Sequence, residues 1–330
     1  MATLGVIKAE AQSVGLHLLA VGAAVPGEAV TNDDMAEIVD TSDKWITSRT
    51  GIKTRYFCRG ERNVDLAYRA ALDALVHAGI RAEQVGVLIV TTFTPDQMSP
   101  SVACALRARL NLPEDTVVFD LNAACAGFLY GLQTARQLLL ASARPYALIV
   151  GSETISRVLD FTDRSTCVLF GDGAGAAVAE LSTASPFYWL GGSREDAAGF
   201  LYCSGLWDKA SSGAPSVVHM QGQEVFRFAV DIIPHCIDEL LQKANLKLND
   251  IDYVVCHQAN MRIISHVVKR LHARPEQFFV NLQRYGNTSS ASIPLALNDM
   301  RRQQKLKSGS RIICIGFGAG FTWAACLLTW

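Results

Sequence analysis

The sequence predicts an α/β protein made of two duplicated halves that stack as five layers, α/β/α/β/α. Three observations support this fold class. Half of the 330 residues are hydrophobic and only 18% are charged, so a large part of the chain must be buried. Short apolar strands alternate with helical stretches, which is typical of sheets covered by helices on both faces. Two sequence patterns also recur in the same order, and such repetition indicates duplication.

The first repeated pattern links the end of an amphipathic helix to a β-branched strand. Residues 78–91 have the sequence AGIRAEQVGVLIVT, and residues 244–257 have the sequence ANLKLNDIDYVVCH. The second pattern is GDGAG at 171–175 and GFGAG at 316–320, each at an expected turn between strands near the end of its half. Apolar strands are expected in both halves, at 87–90, 147–150, 254–256 and 312–315.

Composition along the chain indicates where the two halves join and where the first strand lies. No linker or low-complexity run separates the halves, so we place the join near residue 183, giving units 1–183 and 184–330 in one compact body. The apolar stretch 14–25 is expected to form the first core strand. It is too short to span a bilayer, which takes about 20 apolar residues, and the charges before it cancel where a leader needs a positive excess.

The charge balance and the cysteines limit the possible partners. A net charge of -1 and a pI near 6.7 give no broad positive field for nucleic acid or an anionic membrane, so neither is expected as a partner. The nine cysteines are scattered and lack metal-binding spacing. They indicate buried thiols in a reducing compartment, and we expect a soluble, cytoplasmic protein without a metal.

Residues 117–140 are the first candidate for chemistry. They predict a buried strand, a tight turn NAACAG and a helix, with Cys125 where the helix begins. A thiol at a helix N-terminus gains from the positive end of the dipole, so its pKa is expected to fall. Small neighbours on both sides leave room for a substrate. The alternative is a core cysteine like the other eight.

Two further polar residues lie at expected junctions in the second half. His257 directly follows the predicted strand 253–256, at the carboxyl end where α/β sheets keep their sites. Asn287 follows Gly286 at an expected strand-to-helix junction, and its amide can donate to an oxyanion without carrying charge. Alone, the histidine could be a structural hydrogen-bond partner and the asparagine a turn or capping residue. Together with Cys125 they favour an active site.

Six ordered motifs give the chain a close resemblance to a known family from about residue 16 to residue 329. The chain resembles β-ketoacyl-acyl carrier protein synthase III, a member of the thiolase-like superfamily, whose duplicated fold accounts for the repeats. The motifs are TSDKWITSRTGI (41–52), NAACAGF (122–128), TDRSTCVLFGDGAGA (162–176), HQANMRIIS (257–265), GNTSSAS (286–292) and GFGAGFTW (316–323).

The resemblance implies a ping-pong Claisen condensation with Cys125, His257 and Asn287 as the catalytic triad. Cys125 attacks an acyl-CoA thioester, CoA leaves, and malonyl-acyl carrier protein enters and loses CO₂. The His257 Nε2–H and the Asn287 amide stabilise the enolate. Backbone N–H groups of Cys125 and Ala319 hold the thioester oxygen. The family usually has glycine at 319, and a left-handed turn there would strain alanine by about 1 kcal/mol. A homodimer is implied, and no cofactor besides the substrates.

Substrate contacts are expected near a short helix that begins after Thr41 or Ser42, in which Trp45 and Arg49 share one face. The resemblance implies that Trp45 and Arg164 stack on the adenine of CoA. The residues implied along the pantetheine tunnel or its mouth are Arg49, Phe226 and Asn260. The alternative is that Trp45 is a packing residue and the arginines are surface charges.

A cationic helix face is expected to receive the carrier protein. The amphipathic stretch 261–271 places three fixed cations, Arg262, Lys269 and Arg270, on its polar face without an acid. Such a face suits the acidic acyl carrier protein, and the resemblance implies that Arg262 is its main contact. Ordinary solvated helix faces often carry similar charges.

The acyl-pocket floor departs from the family pattern. Met98 and Ser99 stand where the family often has a large aromatic residue that reaches across a dimer into the partner's acyl pocket. A smaller or more flexible floor predicts a primer longer than acetyl. Residues 191–218 and those before residue 16 also depart from the pattern.

Several functions stay open at this point. The first is the condensing enzyme that initiates fatty acid synthesis. The second is a secondary-metabolite condensing enzyme or acyltransferase, of the polyketide or quinolone type, with the same triad. A catalytically silent subunit has no chemical reason to keep the triad. NAD chemistry is disfavoured because GDGAGAAV and GFGAGFTW do not fit GxGxxG.

Overall fold

The computed structural model of the chain describes residues 14–205 and 216–330. The predicted segments 1–15 and 191–218 therefore lie partly outside the described residues. The first half contains β1 (Gly15–Ala24), β2 (Ala29–Thr31), α1 (Asn32–Ala36), α2 (Asp43–Thr50), β3 (Thr54–Tyr56), α3 (Asn63–Ala78), β4 (Val85–Thr91), α4 (Val102–Arg109), β5 (Val117–Leu121), α5 (Gly127–Leu139), β6 (Tyr146–Glu153) and β7 (Gly173–Ser182). The second half contains β8 (Tyr188–Ser193), β9 (Leu201–Cys203), β10 (Val218–Met220), α6 (Gly222–Ala244), β11 (Tyr253–Cys256), α7 (Met261–Arg270), α8 (Leu282–Tyr285), α9 (Ser292–Arg302), β12 (Arg311–Gly318) and β13 (Thr322–Thr329).

Two mixed sheets carry the architecture. The first has five strands in the order β1-β7-β6-β4-β5, with β6, β4 and β5 parallel. The second has four strands in the order β11-β12-β13-β8, with β11 and β12 parallel. All four strands expected from the apolar runs are present, and the apolar stretch at 14–25 forms β1 as expected. The parallel strands end on the same side of each sheet, which is where α/β proteins place their sites.

Alternation along the strands explains the five layers. In β4, Val87 and Ile89 face a central layer, and Leu88 and Val90 face the outer helix α3. The central layer consists of α5 and α9, which pack between the two sheets. Helices α3 and α4 cover the first sheet from outside, and α6 covers the second. Because every strand of this kind buries both faces, each such side chain stabilises the fold by about 1.5–3 kcal/mol. The predicted layered fold class is confirmed.

The first sequence repeat corresponds to repeated structure. Helices α3 and α6 both end in a left-handed cap, at Gly79 with φ 66° and at Asn245 with φ 52°. Glycine and asparagine are the residues that adopt this conformation most readily. A single 3-10 turn follows each cap, and then β4 or β11 begins. The predicted join near residue 183 falls between β7 and β8, which lie in different sheets, and the division into two domains stays a prediction.

Two local expectations are wrong. The strand before Cys125 is not buried, because β5 is the edge of its sheet and Val117 is 47% exposed. Asn287 does not follow a strand, because residues 282–285 form the helical turn α8, which Gly286 ends. Within the part of the chain that the structure describes, no helix is both long and apolar enough to cross a membrane.

Candidate active site

Cys125 lies on a single 3-10 turn, Ala124–Ala126, that leads into α5. The Asn122 side chain accepts a hydrogen bond from the Ala124 N–H at 3.1 Å and so closes the turn. The end of β12 packs directly on this turn. A Cβ at Gly318 would lie 3.0 Å from the Cys125 nitrogen and 3.2 Å from its Sγ, so glycine is the residue that permits this approach. A strand of the second half therefore packs against the candidate nucleophile, which belongs to the first half.

The expectation of a lowered thiol pKa is wrong. Burial raises the pKa of the Cys125 thiol to about 12, although the residue keeps part of its surface open to the cavity. The Ser289 side chain beside the sulfur lowers this pKa, and the nearby Glu153 carboxylate raises it. Removal from water is the largest influence on this pKa, and the resting group is a thiol.

His257 is held in one orientation at the end of β11. Its N–H donates to the Ile315 carbonyl at 2.7 Å, and its Nδ1 lies 2.7 Å from the Ser292 Oγ. The Gln258 N–H donates to the same Oγ at 3.4 Å, which leaves the Ser292 proton free to point at Nδ1. This arrangement favours the tautomer with hydrogen on Nε2. Burial lowers the pKa of His257 to about 3, so the ring is neutral at neutral pH.

Asn287 is fixed by its backbone and by its own side-chain oxygen. Its N–H donates to the Leu169 carbonyl at 2.8 Å, and its carbonyl accepts from the Gly171 N–H at 3.0 Å. Its Oδ1 accepts from the Ser289 N–H at 2.9 Å. Because the oxygen is engaged in this way, the amide nitrogen is the end of the side chain that is free to donate into the cavity.

One large cavity brings most of the candidate residues together. It has a volume of about 1340 Å³. The candidates that line it are Cys125, His257, Asn287, Ala319, Trp45, Arg49, Phe226, Asn260 and Arg262. The positive φ of the glycine-rich turn falls on Gly320, at 131°, so Ala319 does not carry the strain that was considered for it.

The mouth of the cavity is built around Trp45. The Ser42 side chain caps α2 by accepting from the Trp45 N–H, as the sequence predicts for a helix start at this point. The Arg49 and Arg164 guanidinium groups lie 4.6 and 5.3 Å from the centre of the Trp45 ring. Arg164 also pairs with Asp40, at 3.3 Å. A flat ring and two planar cations at one opening can receive an aromatic, phosphorylated ligand.

Two of the proposed tunnel residues have structural contacts as well. The Asn260 Oδ1 caps α7 by accepting from the Arg262 N–H at 2.9 Å, which leaves its amide nitrogen for a ligand. The ring of Phe226 meets His266 edge-on at 5.7 Å. Asn260 therefore caps a helix and also lines the cavity.

The cationic face of α7 differs from expectation at one position. Arg262 and Lys269 are exposed and line a smaller groove beside the cavity mouth, of about 340 Å³. Arg270 pairs with Asp231 of α6 at 2.8 Å and also donates to the Val230 carbonyl. The expectation of three cations without an acid is therefore wrong for Arg270, because the acid comes from a neighbouring helix.

Met98 and Ser99 lie outside the cavity of their own chain. Met98 is 74% exposed, the highest value among the exposed large hydrophobic residues that the structure describes. Its role at the floor of a partner's acyl pocket stays a prediction.

Sequence reasoning missed three buried residues around the triad. Ser292 contacts His257, Ser289 contacts Asn287, and Glu153 accepts from hydroxyl groups of both halves. The motif GNTSSAS contains both serines, but nothing in it assigns a partner to either one.

Two family models match the chain. The model described as "3-Oxoacyl-[acyl-carrier-protein (ACP)] synthase III C terminal" matches residues 241–330. The model described as "3-Oxoacyl-[acyl-carrier-protein (ACP)] synthase III" matches residues 119–190. The curated β-ketoacyl-[acyl-carrier-protein] synthase III of Clostridium acetobutylicum is 42% identical over 324 residues, which cover 96% of this chain and 98% of the relative.

Solved structures agree with these matches. The 3-oxoacyl-[acyl-carrier-protein] synthase III of Aquifex aeolicus is 38% identical with a TM-score of 0.89, covering 96% of this chain and 100% of that one. The priming β-ketosynthase of the R1128 polyketide biosynthetic pathway is 34% identical with a TM-score of 0.88, covering 96% of each chain. The resemblance found in the motifs is confirmed, and this chain belongs to the 3-oxoacyl-[acyl-carrier-protein] synthase III family.

Proposed function

We propose that this chain condenses an acyl-CoA primer with malonyl-acyl carrier protein to a β-ketoacyl-acyl carrier protein, and so initiates fatty acid synthesis. Family membership supports the reaction class. The single observation that carries the mechanism is the convergence of Cys125 from the first half with His257 and Asn287 from the second in one cavity.

In the first step Cys125 takes over the acyl group. The sulfur attacks the thioester carbonyl, the carbon–sulfur bond to CoA breaks, and the proton of the Cys125 thiol ends on the CoA thiol. The N–H groups of Cys125 and Ala319 hold the carbonyl oxygen as it becomes negative. The ring of Trp45, with Arg49 and Arg164, holds the nucleotide end of CoA at the mouth.

In the second step the acyl group meets a new carbon nucleophile. The malonyl group loses CO₂, and its thioester oxygen takes up the negative charge of the enolate. The neutral His257 Nε2–H and the Asn287 amide donate to that oxygen without changing protonation state. The enolate carbon attacks the acyl carbonyl, the new carbon–carbon bond forms, and Cys125 leaves as thiolate and is reprotonated.

The experiment follows the acyl group by mass spectrometry of the intact chain. Cys125→Ala should abolish acylation by acyl-CoA, whereas His257→Ala and Asn287→Ala should be acylated but condense poorly. Cys104→Ala is the matched control, because Cys104 is an exposed free thiol on α4 and its loss should change neither step. Retained acylation of Cys125→Ala contradicts the assignment of the nucleophile.

The second candidate function is a condensing enzyme or acyltransferase of secondary metabolism. The observation that favours it is the 34% identity to the R1128 priming β-ketosynthase over nearly the whole of both chains. Release of CO₂ from malonyl-acyl carrier protein separates condensation, in either pathway, from plain acyl transfer. Acyl transfer without CO₂ release would identify a plain acyltransferase.

Further proposals concern the setting of the reaction. We propose a homodimer, which the exposed β5 edge with Val117 supports, since an unpaired edge strand can pair with a strand of another chain.

We propose that Arg262 and Lys269 contact acyl carrier protein, with a smaller contribution from Arg270, whose charge Asp231 partly neutralises. The chemistry needs no cofactor beyond the substrates. All nine cysteines are free, which supports a reducing cytoplasmic location.

A further inference from the structure

Ser289 occupies an unusual position beside the reacting sulfur. It begins the 3-10 turn Ser289–Ala291, which packs against the turn Ala124–Ala126 that carries Cys125. Its φ is 49°, in the left-handed region that residues other than glycine seldom adopt. It is fully buried and lines the catalytic cavity. In this conformation the Ser289 N–H donates to the Asn287 Oδ1, and Ser289 lines the same cavity as Cys125.

The Ser289 hydroxyl lacks a hydrogen-bond partner among the described residues. Its Oγ is buried and has no hydrogen-bond partner within residues 14–205 and 216–330. Buried hydroxyl groups in native proteins nearly always have one. Among the described residues whose buried hydroxyl has no partner, Ser289 is the one that lines the catalytic cavity. The acceptor that the catalytic cycle provides is the ionised sulfur of Cys125, since a hydrogen bond from this hydroxyl favours the thiolate over the thiol.

We propose that Ser289 is a further catalytic residue, whose hydroxyl donates a hydrogen bond to the Cys125 sulfur whenever that sulfur is negatively charged. This occurs twice in the cycle, when the sulfur attacks the acyl-CoA and when it leaves during condensation. No bond to Ser289 forms or breaks, and its proton stays on its own oxygen. The inference rests on the proposed role of Cys125 as the nucleophile.

Alkylation of Cys125 by iodoacetamide tests this donor without any substrate. The rate at Cys125 is measured by peptide mapping between pH 6 and pH 10 in the wild type, Ser289→Ala and Ser289→Gly. Both variants lose the hydroxyl, but glycine accepts the positive φ without strain. Both should therefore alkylate about three- to tenfold more slowly at each pH, because the thiolate fraction falls further than its intrinsic nucleophilicity rises. The exposed Cys104 in the same samples is the internal reference.

A neighbouring hydroxyl provides the matched control. Thr288 Oγ1 is also buried without a partner among the described residues, but Thr288 does not line the cavity. Thr288→Val should alkylate at the wild-type rate. A wild-type rate in both Ser289 variants overturns the inference, and so does a slow Ser289→Ala with a normal Ser289→Gly, which would point to the backbone. An equal loss in Thr288→Val also overturns it. A chain that alkylates in this pattern but is not acylated by acyl-CoA would count against the proposed function alone.

Discussion

Ser292 and His257 illustrate how a buried hydroxyl can set the chemistry of a neutral imidazole. Their contact at 2.7 Å lies in the interior, with 2% of each residue exposed. Because burial lowers the pKa of His257 to about 3, the ring cannot work as a cation in the neutral range. Whether the ring can donate a hydrogen bond to an enolate oxygen then depends on which ring nitrogen carries the hydrogen. The Gln258 N–H, which donates to the same oxygen, favours Ser292 as donor to Nδ1.

We therefore expect Ser292→Ala to slow condensation about tenfold to a hundredfold while acylation of Cys125 by acyl-CoA stays near the wild-type rate. The reason is that the tautomer with hydrogen on Nε2 then has a buried Nδ1 without a hydrogen-bond donor. This destabilises the reacting tautomer by about 1–3 kcal/mol. Single-turnover acylation and steady-state CO₂ release measure the two steps separately. Ser292→Thr, which keeps the hydroxyl, should recover most of the loss. Equal losses in both steps would contradict a role through His257.

Gly318 gives a second prediction at the residue scale. Its φ of -174° suits any residue, so Gly318→Ala changes the site only through the added Cβ, 3.0 Å from the Cys125 nitrogen. We expect acylation to slow about tenfold to a hundredfold, because the carbonyl oxygen loses its alignment with the N–H donors. Stopped-flow release of CoA measures this rate. Gly60→Ala is the control, since a Cβ there meets no atom of the described residues within 4 Å.

At the scale of elements, Glu153 joins strands of the first half to the Asn287 loop. It ends β6 and is fully buried. Its Oε2 accepts from the Thr94 hydroxyl at 2.6 Å and the Thr92 hydroxyl at 3.1 Å, and its Oε1 accepts from the Ser290 hydroxyl at 3.0 Å. Burial nevertheless raises its pKa to about 7, so these hydrogen bonds only partly offset the loss of water.

This raised pKa predicts how stability depends on pH. Between about pH 4.5, the ordinary value, and about pH 7, the folded chain holds a proton that the unfolded chain has lost. The contribution of Glu153 to the free energy of unfolding is therefore fully present below pH 4.5. As the pH rises through 7, this contribution of on the order of 3 kcal/mol is lost. Relative to the wild type, Glu153→Gln should gain about this much unfolding free energy between pH 5 and pH 9.

Urea unfolding at the two pH values measures the difference, since comparison within each variant removes the fixed effect of the substitution. Glu276→Gln is the control, because Glu276 is an exposed carboxylate on the surface. An unchanged difference between wild type and Glu153→Gln would show that Glu153 is ionised in the folded chain throughout this range.

The elements themselves were largely predictable from local sequence. The β-branched runs at 87–90 and 312–315 fix strands, and Gly79 and Asn245 end the helices that precede β4 and β11. The placement of Cys125 and His257 at element ends followed from the same patterns. What local sequence could not predict depends on long-range contacts. Burial of the Cys125 thiol is the clearest example, because it arises from β12, nearly two hundred residues away.

At the scale of the whole molecule, both halves supply residues to the candidate site, so the two halves must pack closely against each other there. Gly318 must approach Cys125, and Gly286, with φ 65°, must bring Asn287 beside Leu169. These contacts join the C-terminal half to the N-terminal half through backbone atoms, which a side chain at either glycine would separate. Neither half holds the complete set of donors and nucleophile, so we expect neither half alone to be active.

The remaining whole-molecule prediction concerns Met98 and the length of the primer. In the proposed homodimer, we expect Met98 to reach the acyl pocket of the partner subunit, a position that its 74% exposure in the single chain permits. Since Met is flexible and smaller than an aromatic residue, the pocket should admit primers longer than acetyl.

When acetyl-, isobutyryl- and octanoyl-CoA compete for Cys125, the longer primers should label it at least as fast as acetyl-CoA. Met98→Phe should shift the competition toward acetyl-CoA, with Ser99→Ala as the control that leaves the volume nearly unchanged. A clear preference of the wild type for acetyl-CoA would place the determinant of primer length elsewhere in the cavity.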